Sequence, residues 1–132
     1  MTLGFSKEEF KEKILRGTKI HSIREDKADR WKDGILIHFV TGNRTKHRNE
    51  FLLYSCTGIQ EITITYHKGL REVCINDKVF YWDYEGQNGN EFEMEQLAYN
   101  DGFDSIEDFF AYCNLFLFTM QKSALQVFCW KQ

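Results

Sequence analysis

A short stretch near the amino terminus, GTKIHSIRED at residues 17–26, gathers side chains that could do chemistry. Lys19, Ser22 and Arg24 supply an amine, a hydroxyl and a guanidinium within six positions. A serine hydroxyl becomes a nucleophile when a base takes its proton. A lysine serves as that base only if burial or a neighbouring cation lowers its pKa. The alternative interpretation is an ordinary solvent-exposed surface, where Lys19 is solvated and Ser22 forms a hydrogen bond with the local backbone.

Three side chains in this region predict ligand contact instead of catalysis. A guanidinium such as Arg24 can bind a phosphate through two parallel hydrogen bonds, although a surface salt bridge of little energetic weight is the alternative. Trp31 precedes a turn and is the tryptophan placed best to stack on a base. His21 is predicted to bind ligand or to pack, and not to catalyse.

The charge distribution limits where a nucleic acid could bind. The formal net charge is −3, but residues 1–50 hold 12 Lys/Arg against 8 Asp/Glu, and residues 51–132 hold 5 against 12. An acidic protein binds nucleic acid poorly unless its basic groups are local. Arg44, Lys46 and Arg48 form such a local group, which either faces a phosphate backbone or is a solvated hairpin tip.

The composition predicts one globular domain of 132 residues, with 42% hydrophobic and 16% aromatic residues. It contains no apolar run of the roughly 18 residues that a membrane span needs, and its amino terminus does not read as a signal peptide. The four cysteines show no C-x-x-C spacing and the four histidines are dispersed, so we expect free thiols in a reducing cytoplasm, no metal and no cofactor.

The elements that must position Lys19 and Ser22 follow from local patterns. Ser6 and Glu9 predict a capping box, and Gly17 predicts the end of that helix. Three apolar residues are expected to share one helical face: Phe10, Ile14 and Leu15. A turn then leads into a short strand that contains Ser22. Ser105 with Asp108 predicts the start of a later helix.

The remaining elements predict an α+β domain. Strands are expected at residues 35–41, 50–56, 59–67, 70–76 and 78–84, with a hairpin turn at Asn76-Asp77 and a last strand at residues 124–130. Residues 85–90 are predicted as loop, and residues 91–102 as a helix ending near Gly102.

Several of these segments resemble ASCH domains, which belong to the PUA-like group of small β-barrels. GTKIHSIRED followed by RWKDGILIHF is similar to the family's opening, in which a helix ends at Gly, followed by Lys, Thr-x-Arg and a Gly-Asp-type turn. AYNDGFDSIEDFFAY resembles the family's acidic residue before a Phe-rich helix, and LQVFCW resembles its closing strand. The resemblance implies one domain over residues 1–132, a small mixed β-barrel flanked by helices, with an insertion around residues 68–92.

The same resemblance implies a cleft beside the barrel for RNA or a nucleoside-like ligand. Some small bacterial relatives hydrolyse N4-acetylcytidine with a Lys, a Thr and a Glu, which match Lys19, Ser22 and Asp101. Asp101 would then protonate the leaving amine or orient water. Three hypotheses stay open: a module that binds RNA or a modified nucleoside, an amidohydrolase of acylated cytidine, and an interaction protein whose cleft has lost its ligand.

Overall fold

The computed structural model describes residues 1–25, 29–116 and 122–129, with side chains described as far as residue 113. It contains three helices and nine strands within these ranges, in the following chain order. The elements are β1 (Thr2–Phe5), α1 (Glu8–Arg16), β2 (His21–Arg24), β3 (Leu36–Thr41), β4 (Asn49–Ser55), β5 (Gly58–His67), β6 (Leu70–Ile75), β7 (Lys78–Tyr84), β8 (Gln87–Gly89), α2 (Glu91–Asn100), α3 (Ile106–Phe116) and β9 (Lys122–Cys129).

The strands form two sheets, which confirms the predicted α+β class. The smaller sheet has the order β1-β3-β4, with β1 parallel to β3, and the larger one has the order β2-β9-β5-β6-β7-β8. Within the described ranges neither sheet closes on itself, so the expected PUA-like barrel is not confirmed. Residues 68–92, the segment predicted as an insertion, contribute β6, β7 and β8 to one end of the larger sheet.

The predicted end of α1 and the predicted start of α3 are confirmed, whereas the start of α1 differs from the prediction. Gly17 ends α1 with a left-handed φ of 82°, as predicted, but the residue before the helix is Lys7 and not Ser6. Leu15 is 55% exposed, because it lies 100° around the helix from the buried Ile14. The predicted cap at the start of α3 is confirmed, since the Ser105 hydroxyl accepts a hydrogen bond from the Asp108 amide at 3.0 Å.

Three hairpins in the larger sheet use the same kind of two-residue turn, the first of which joins β5 to β6 at Lys68 and Gly69, with φ values of 48° and 86°. Asn76 and Asp77 have φ values of 50° and 65°, which confirms the predicted hairpin between β6 and β7. Glu85 and Gly86 have φ values of 48° and 79° and close the third hairpin, between β7 and β8. The prediction of loop over residues 85–90 was therefore wrong at Gln87–Gly89, because a two-residue turn leaves these residues free to pair with β7.

The core fills the space between the sheets and the helices with large rings. Phe39, Phe109 and Phe110 are fully buried, and the rings of Phe109 and Phe110 meet edge to face at 5.4 Å. At one edge, Arg71 on β6 donates to the carboxylates of Asp83 on β7 and of Glu107 on α3. These contacts fix α3, whose inner face forms one wall of the site described below.

The turn between α2 and α3 depends on Gly102. Its φ is +99°, and a Cβ added there would lie 2.9 Å from Lys19 Cδ and 3.0 Å from the Phe10 ring. The carbonyl of Gly102 accepts a hydrogen bond from Lys13 Nζ at 2.7 Å, which joins this turn to α1. The absence of a side chain at residue 102 therefore lets Asp101 approach Lys19.

We expect Gly102→Ala to destabilise the protein more than Gly34→Ala. Both glycines have positive φ, but nothing lies within 4 Å of a Cβ at Gly34. Gly34→Ala should cost about 1 kcal/mol for its backbone conformation alone, and Gly102→Ala should cost roughly 1–3 kcal/mol more because of crowding. Urea denaturation of both variants measures this difference, and equal losses would show that the space beside Lys19 is not restricted.

Candidate functional site

Lys19, Ser22, Arg24 and Asp101 line one cavity of about 190 Å³. Its apolar walls come from four aromatic residues on β1, α1, the α2–α3 turn and α3: Phe5, Phe10, Phe103 and Tyr112. Lys19 and Asp101 are 82 positions apart in the chain, so only the tertiary structure brings them together. The cavity is smaller than the roughly 300–1,000 Å³ typical of sites for drug-sized ligands. It therefore suits a single small group.

Lys19 is held at the buried end of this arrangement. Its Nζ donates to Asp101 Oδ1 at 3.3 Å, to the backbone carbonyl of His21 at 2.9 Å and to the backbone carbonyl of Asp101. Burial lowers the pKa of Lys19 to about 8; the nearby Arg24 also lowers this pKa, whereas the Asp101 carboxylate raises it. A lysine with such a pKa has a substantial neutral fraction near pH 8 and can accept a proton there.

Ser22 and Arg24 face the cavity from β2, because alternate residues of a strand point to the same side. Arg24 Nε donates to Ser22 Oγ at 3.1 Å, and its Nη2 donates to the carbonyl of Gly4 at 2.9 Å. The guanidinium also lies 5.3 Å from the centre of the Phe5 ring. A fixed cation beside a hydroxyl oxygen stabilises negative charge that develops on it or on a neighbouring oxygen.

Asp101, in the α2–α3 turn, contacts the side chains of Lys19 and His21. Its Oδ1 lies 3.1 Å from His21 Nδ1 in addition to its contact with Lys19. His21 was predicted to bind ligand, but its side chain is on the strand face opposite Ser22 and does not line this cavity. All three residues are buried, so the lysine and histidine compensate a carboxylate that would otherwise be costly to bury.

The other predicted site residues lie elsewhere. Trp31, the predicted stacking residue, is 7% exposed and belongs to the hydrophobic core. Arg44, Lys46 and Arg48 are exposed on the connection between β3 and β4, and none of them lines the cavity. The cavity lining thus includes Arg24 and the three residues predicted to be catalytic, and it includes neither the tryptophan nor the basic loop.

The aromatic walls were not predicted from the sequence, which gave none of these four residues a place in the site. Phe103 and Tyr112 do pack against the core, but one side of each faces the cavity. Their position directly after Asp101 and on the following helix was a usable signal. Cys113 also lines the cavity, and burial raises the pKa of its thiol to about 12, so it is not a thiolate nucleophile near neutral pH.

No family model, curated protein or solved structure matches this chain. The resemblance to ASCH domains therefore rests on the motifs quoted from the sequence. Within residues 1–25, 29–116 and 122–129, no group of three or more His, Cys, Asp or Glu side chains is placed to hold a metal ion. None of the helices in those ranges has the length and apolar character required to cross a membrane.

We expect Lys19 to titrate with a pKa of about 8. Arg24→Met should raise this pKa because it removes a nearby cation, and Asp101→Asn should lower it because it removes the anion. NMR of ¹³C-labelled lysine side chains measures both shifts, with Lys19→Met used to assign the signal. Shifts of the same sign in the two variants would contradict this electrostatic arrangement.

The free energy of unfolding should depend on pH because the pKa of Lys19 is lowered in the folded protein. The pKa of Lys19 lies below the ordinary lysine value of 10.5, so the unfolded chain binds more protons than the folded chain between about pH 8 and 10.5. The free energy of unfolding should therefore gain a contribution as pH rises through this window. Lys19→Met should remove that contribution.

Proposed function

We propose that the protein is an ASCH-type module of the PUA-like group that binds a single nucleoside-like ligand in the cavity. The observation that supports this most is the convergence of Lys19, Ser22 and Asp101 on one cavity. These are the three positions that match the family's pattern. Lys19 and Asp101 are 82 positions apart, so local sequence preferences do not by themselves place them in one cavity.

The shape and chemistry of the cavity favour a single base over an RNA strand. Phe5 and Tyr112 offer apolar ring surface, and Arg24 offers N–H donors for a carbonyl oxygen. The volume of about 190 Å³ leaves room for one base-sized group. The net charge of −3 and the absence of the basic loop from the cavity lining disfavour binding of a phosphate backbone along the cavity.

We expect cytidine or N4-acetylcytidine to bind, and Ser22→Ala and Arg24→Met to weaken binding. Loss of a hydrogen bond to a charged group costs roughly 1.5–3 kcal/mol, which corresponds to about 10–100-fold in Kd. Calorimetric titration measures these changes. The matched control replaces Arg44, Lys46 and Arg48 with Ala, which should leave nucleoside affinity unchanged.

The same triple variant distinguishes a nucleoside from an RNA partner. If single-stranded RNA binds through the basic loop, the variant should weaken binding and flatten its dependence on salt by roughly 0.7 units of slope per lost phosphate contact. If the salt dependence of RNA binding is unchanged in the variant, the basic loop does not contact phosphates and is a solvated hairpin tip. If neither a nucleoside nor RNA binds, the binding proposal fails. The remaining hypothesis is then an interaction protein whose cleft has lost its ligand.

A second candidate is an amidohydrolase of N4-acetylcytidine-like nucleosides. It is favoured by the pKa of about 8 for Lys19 and by the contact of Arg24 Nε with Ser22 Oγ. Neutral Lys19 would take the Ser22 proton as Oγ bonds to the acyl carbon, while Arg24 stabilises the resulting oxyanion. The C–N bond then breaks and the leaving amine takes the proton from Lys19. Water finally hydrolyses the acyl-serine ester and restores the hydroxyl.

We expect Ser22→Thr to retain measurable acetate release and Ser22→Ala to abolish it, since the step needs an oxygen nucleophile. Lys19→Arg should also be inactive, because a guanidinium stays protonated near neutral pH. Acetate release from N4-acetylcytidine can be followed by proton NMR over several hours. Wild-type protein that binds the nucleoside without releasing acetate would contradict the hydrolase and leave the binding module.

A further inference from the structure

One oxygen of the Asp101 side chain, Oδ1, is shared between two nitrogen atoms. Lys19 Nζ lies 3.3 Å from it, and His21 Nδ1 lies 3.1 Å from it. A carboxylate oxygen only accepts hydrogen bonds, so the Nδ1 atom in this contact carries a proton. All three side chains are buried. In the part of the chain that the structure describes, no other side chain donates to this carboxylate.

The hydrogen bonds of Lys19 indicate what changes when it becomes neutral. The ammonium donates its three hydrogens to Asp101 Oδ1, to the Asp101 backbone carbonyl and to the His21 backbone carbonyl. A neutral amine has two N–H groups, which the two carbonyls can accept. The carboxylate then loses its lysine donor, and the N–H of His21 is the side-chain donor that remains on it. Since a buried carboxylate without a donor is costly, His21 favours the neutral state of Lys19.

The distance between the lysine and the carboxylate agrees with this role. Charge-assisted hydrogen bonds from nitrogen to a carboxylate are typically about 2.7–2.9 Å long, whereas Lys19 Nζ and Asp101 Oδ1 are 3.3 Å apart. The contact of His21 with the same oxygen, at 3.1 Å, is the shorter of the two. The carboxylate is therefore held between two donors. A closer ion pair with the lysine would stabilise the ammonium more strongly.

We propose that His21 is a positioning residue of the cavity, which holds the Asp101 carboxylate in place while Lys19 gives up and regains a proton. This inference rests on the proposed function, because it concerns a lysine that lines the ligand cavity. His21 does not line that cavity and therefore acts through Asp101 and not on the ligand. In a hydrolase, His21 would set the pH at which Lys19 becomes a base. In a binding module, it would set the pH at which the cavity changes charge.

The charged groups around the pair leave room for this effect. Arg24 on β2 and Lys13 on α1 lower the pKa of Lys19, whereas the Asp101 carboxylate raises it. Glu93 on α2 lines a groove together with His21, but it is exposed and its charge is screened by solvent. On α3, burial raises the pKa values of two groups that interact with Asp101, so both are neutral near pH 8: Tyr112 and Cys113.

His21→Asn and His21→Leu form a matched pair of variants. In both His and Asn a nitrogen donor is bonded to Cγ, so Asn can present an N–H to Asp101, whereas Leu presents none. His21→Leu should raise the pKa of Lys19 by about one, which is a tenfold change in proton affinity. His21→Asn should keep that pKa near the wild-type value of about 8. NMR of ¹³C-labelled lysine side chains in the full chain measures both values.

The Asp101→Asn background separates positioning from a general effect on folding. Without the carboxylate, His21→Leu and His21→Asn should give the same pKa for Lys19. A difference that persists in this background, or equal pKa values in the two variants when Asp101 is present, would overturn the proposal.

The wild-type protein provides a test that does not depend on how well the variants fold. The ¹⁵N resonances of the His21 ring should report a protonated Nδ1 both below and above pH 8, because this N–H must remain on Asp101 when Lys19 is neutral. An Nδ1 atom that is unprotonated above pH 8 would overturn the proposal.

The NMR titrations use the free protein, so their outcome is independent of the proposed function. If Lys19 responds as expected and no nucleoside binds, the positioning role stands and the proposed function fails. If cytidine or N4-acetylcytidine binds, the pH midpoint of binding or of acetate release should rise in His21→Leu together with the pKa of Lys19 and return in His21→Asn. A midpoint that stays in place while the pKa of Lys19 moves would overturn the role of His21 in the site.

Discussion

The buried carboxylate of Asp101 is the constraint on which the arrangement of this protein depends. A carboxylate without water must be compensated by donors and positive charge. Here Lys19 approaches it from the end of α1, and His21 approaches it from β2. The compact turn at Gly102 makes that approach possible, because it places no side chain between the carboxylate and the lysine. One buried charge thereby fixes α1, β2 and the α2–α3 turn relative to one another.

The same burial gives the site its chemistry. Removal from water lowers the pKa of both Lys19 and Arg24, and the aromatic walls keep that environment apolar. The contrast within the molecule is the cluster of Arg71, Asp83 and Glu107. There the guanidinium is paired with two carboxylates in a partly exposed position, and hydrogen bonds raise the pKa of Arg71. That cluster holds α3 against the sheet, whereas Lys19 has a pKa low enough to lose its proton near pH 8.

Strand β2 carries polar side chains on both of its faces. Ser22 and Arg24 face the cavity, whereas His21 does not line it and contacts Asp101 through its Nδ1 atom. Because a single carboxylate oxygen contacts both Lys19 and His21, a change in the hydrogen bonding of one is felt by the other. The six-position motif is thus a segment whose side chains lie on both faces of the chain and not a single cluster.

The sequence by itself determined the local features: the end of α1 at Gly17, the hairpin at Asn76-Asp77, the cap at Ser105 and the α+β class. Each of these depends on backbone preferences or hydrogen bonds within a few residues. The motif GTKIHSIRED also identified Lys19 as a residue of interest, and family resemblance supplied its distant partner.

Only the tertiary structure decided which of the suggested residues meet. Trp31 precedes a turn in a polar sequence, yet packing places it in the core, and the residues of the basic loop do not line the cavity. His21 is turned from the cavity because the pairing of β2 with β9 fixes which strand face each residue occupies. The pairing of β1 with β3 and the closure of the cavity by Tyr112 are likewise non-local. Contacts over tens of positions depend on sheet order and on the filling of the core, and neither is encoded in a local pattern.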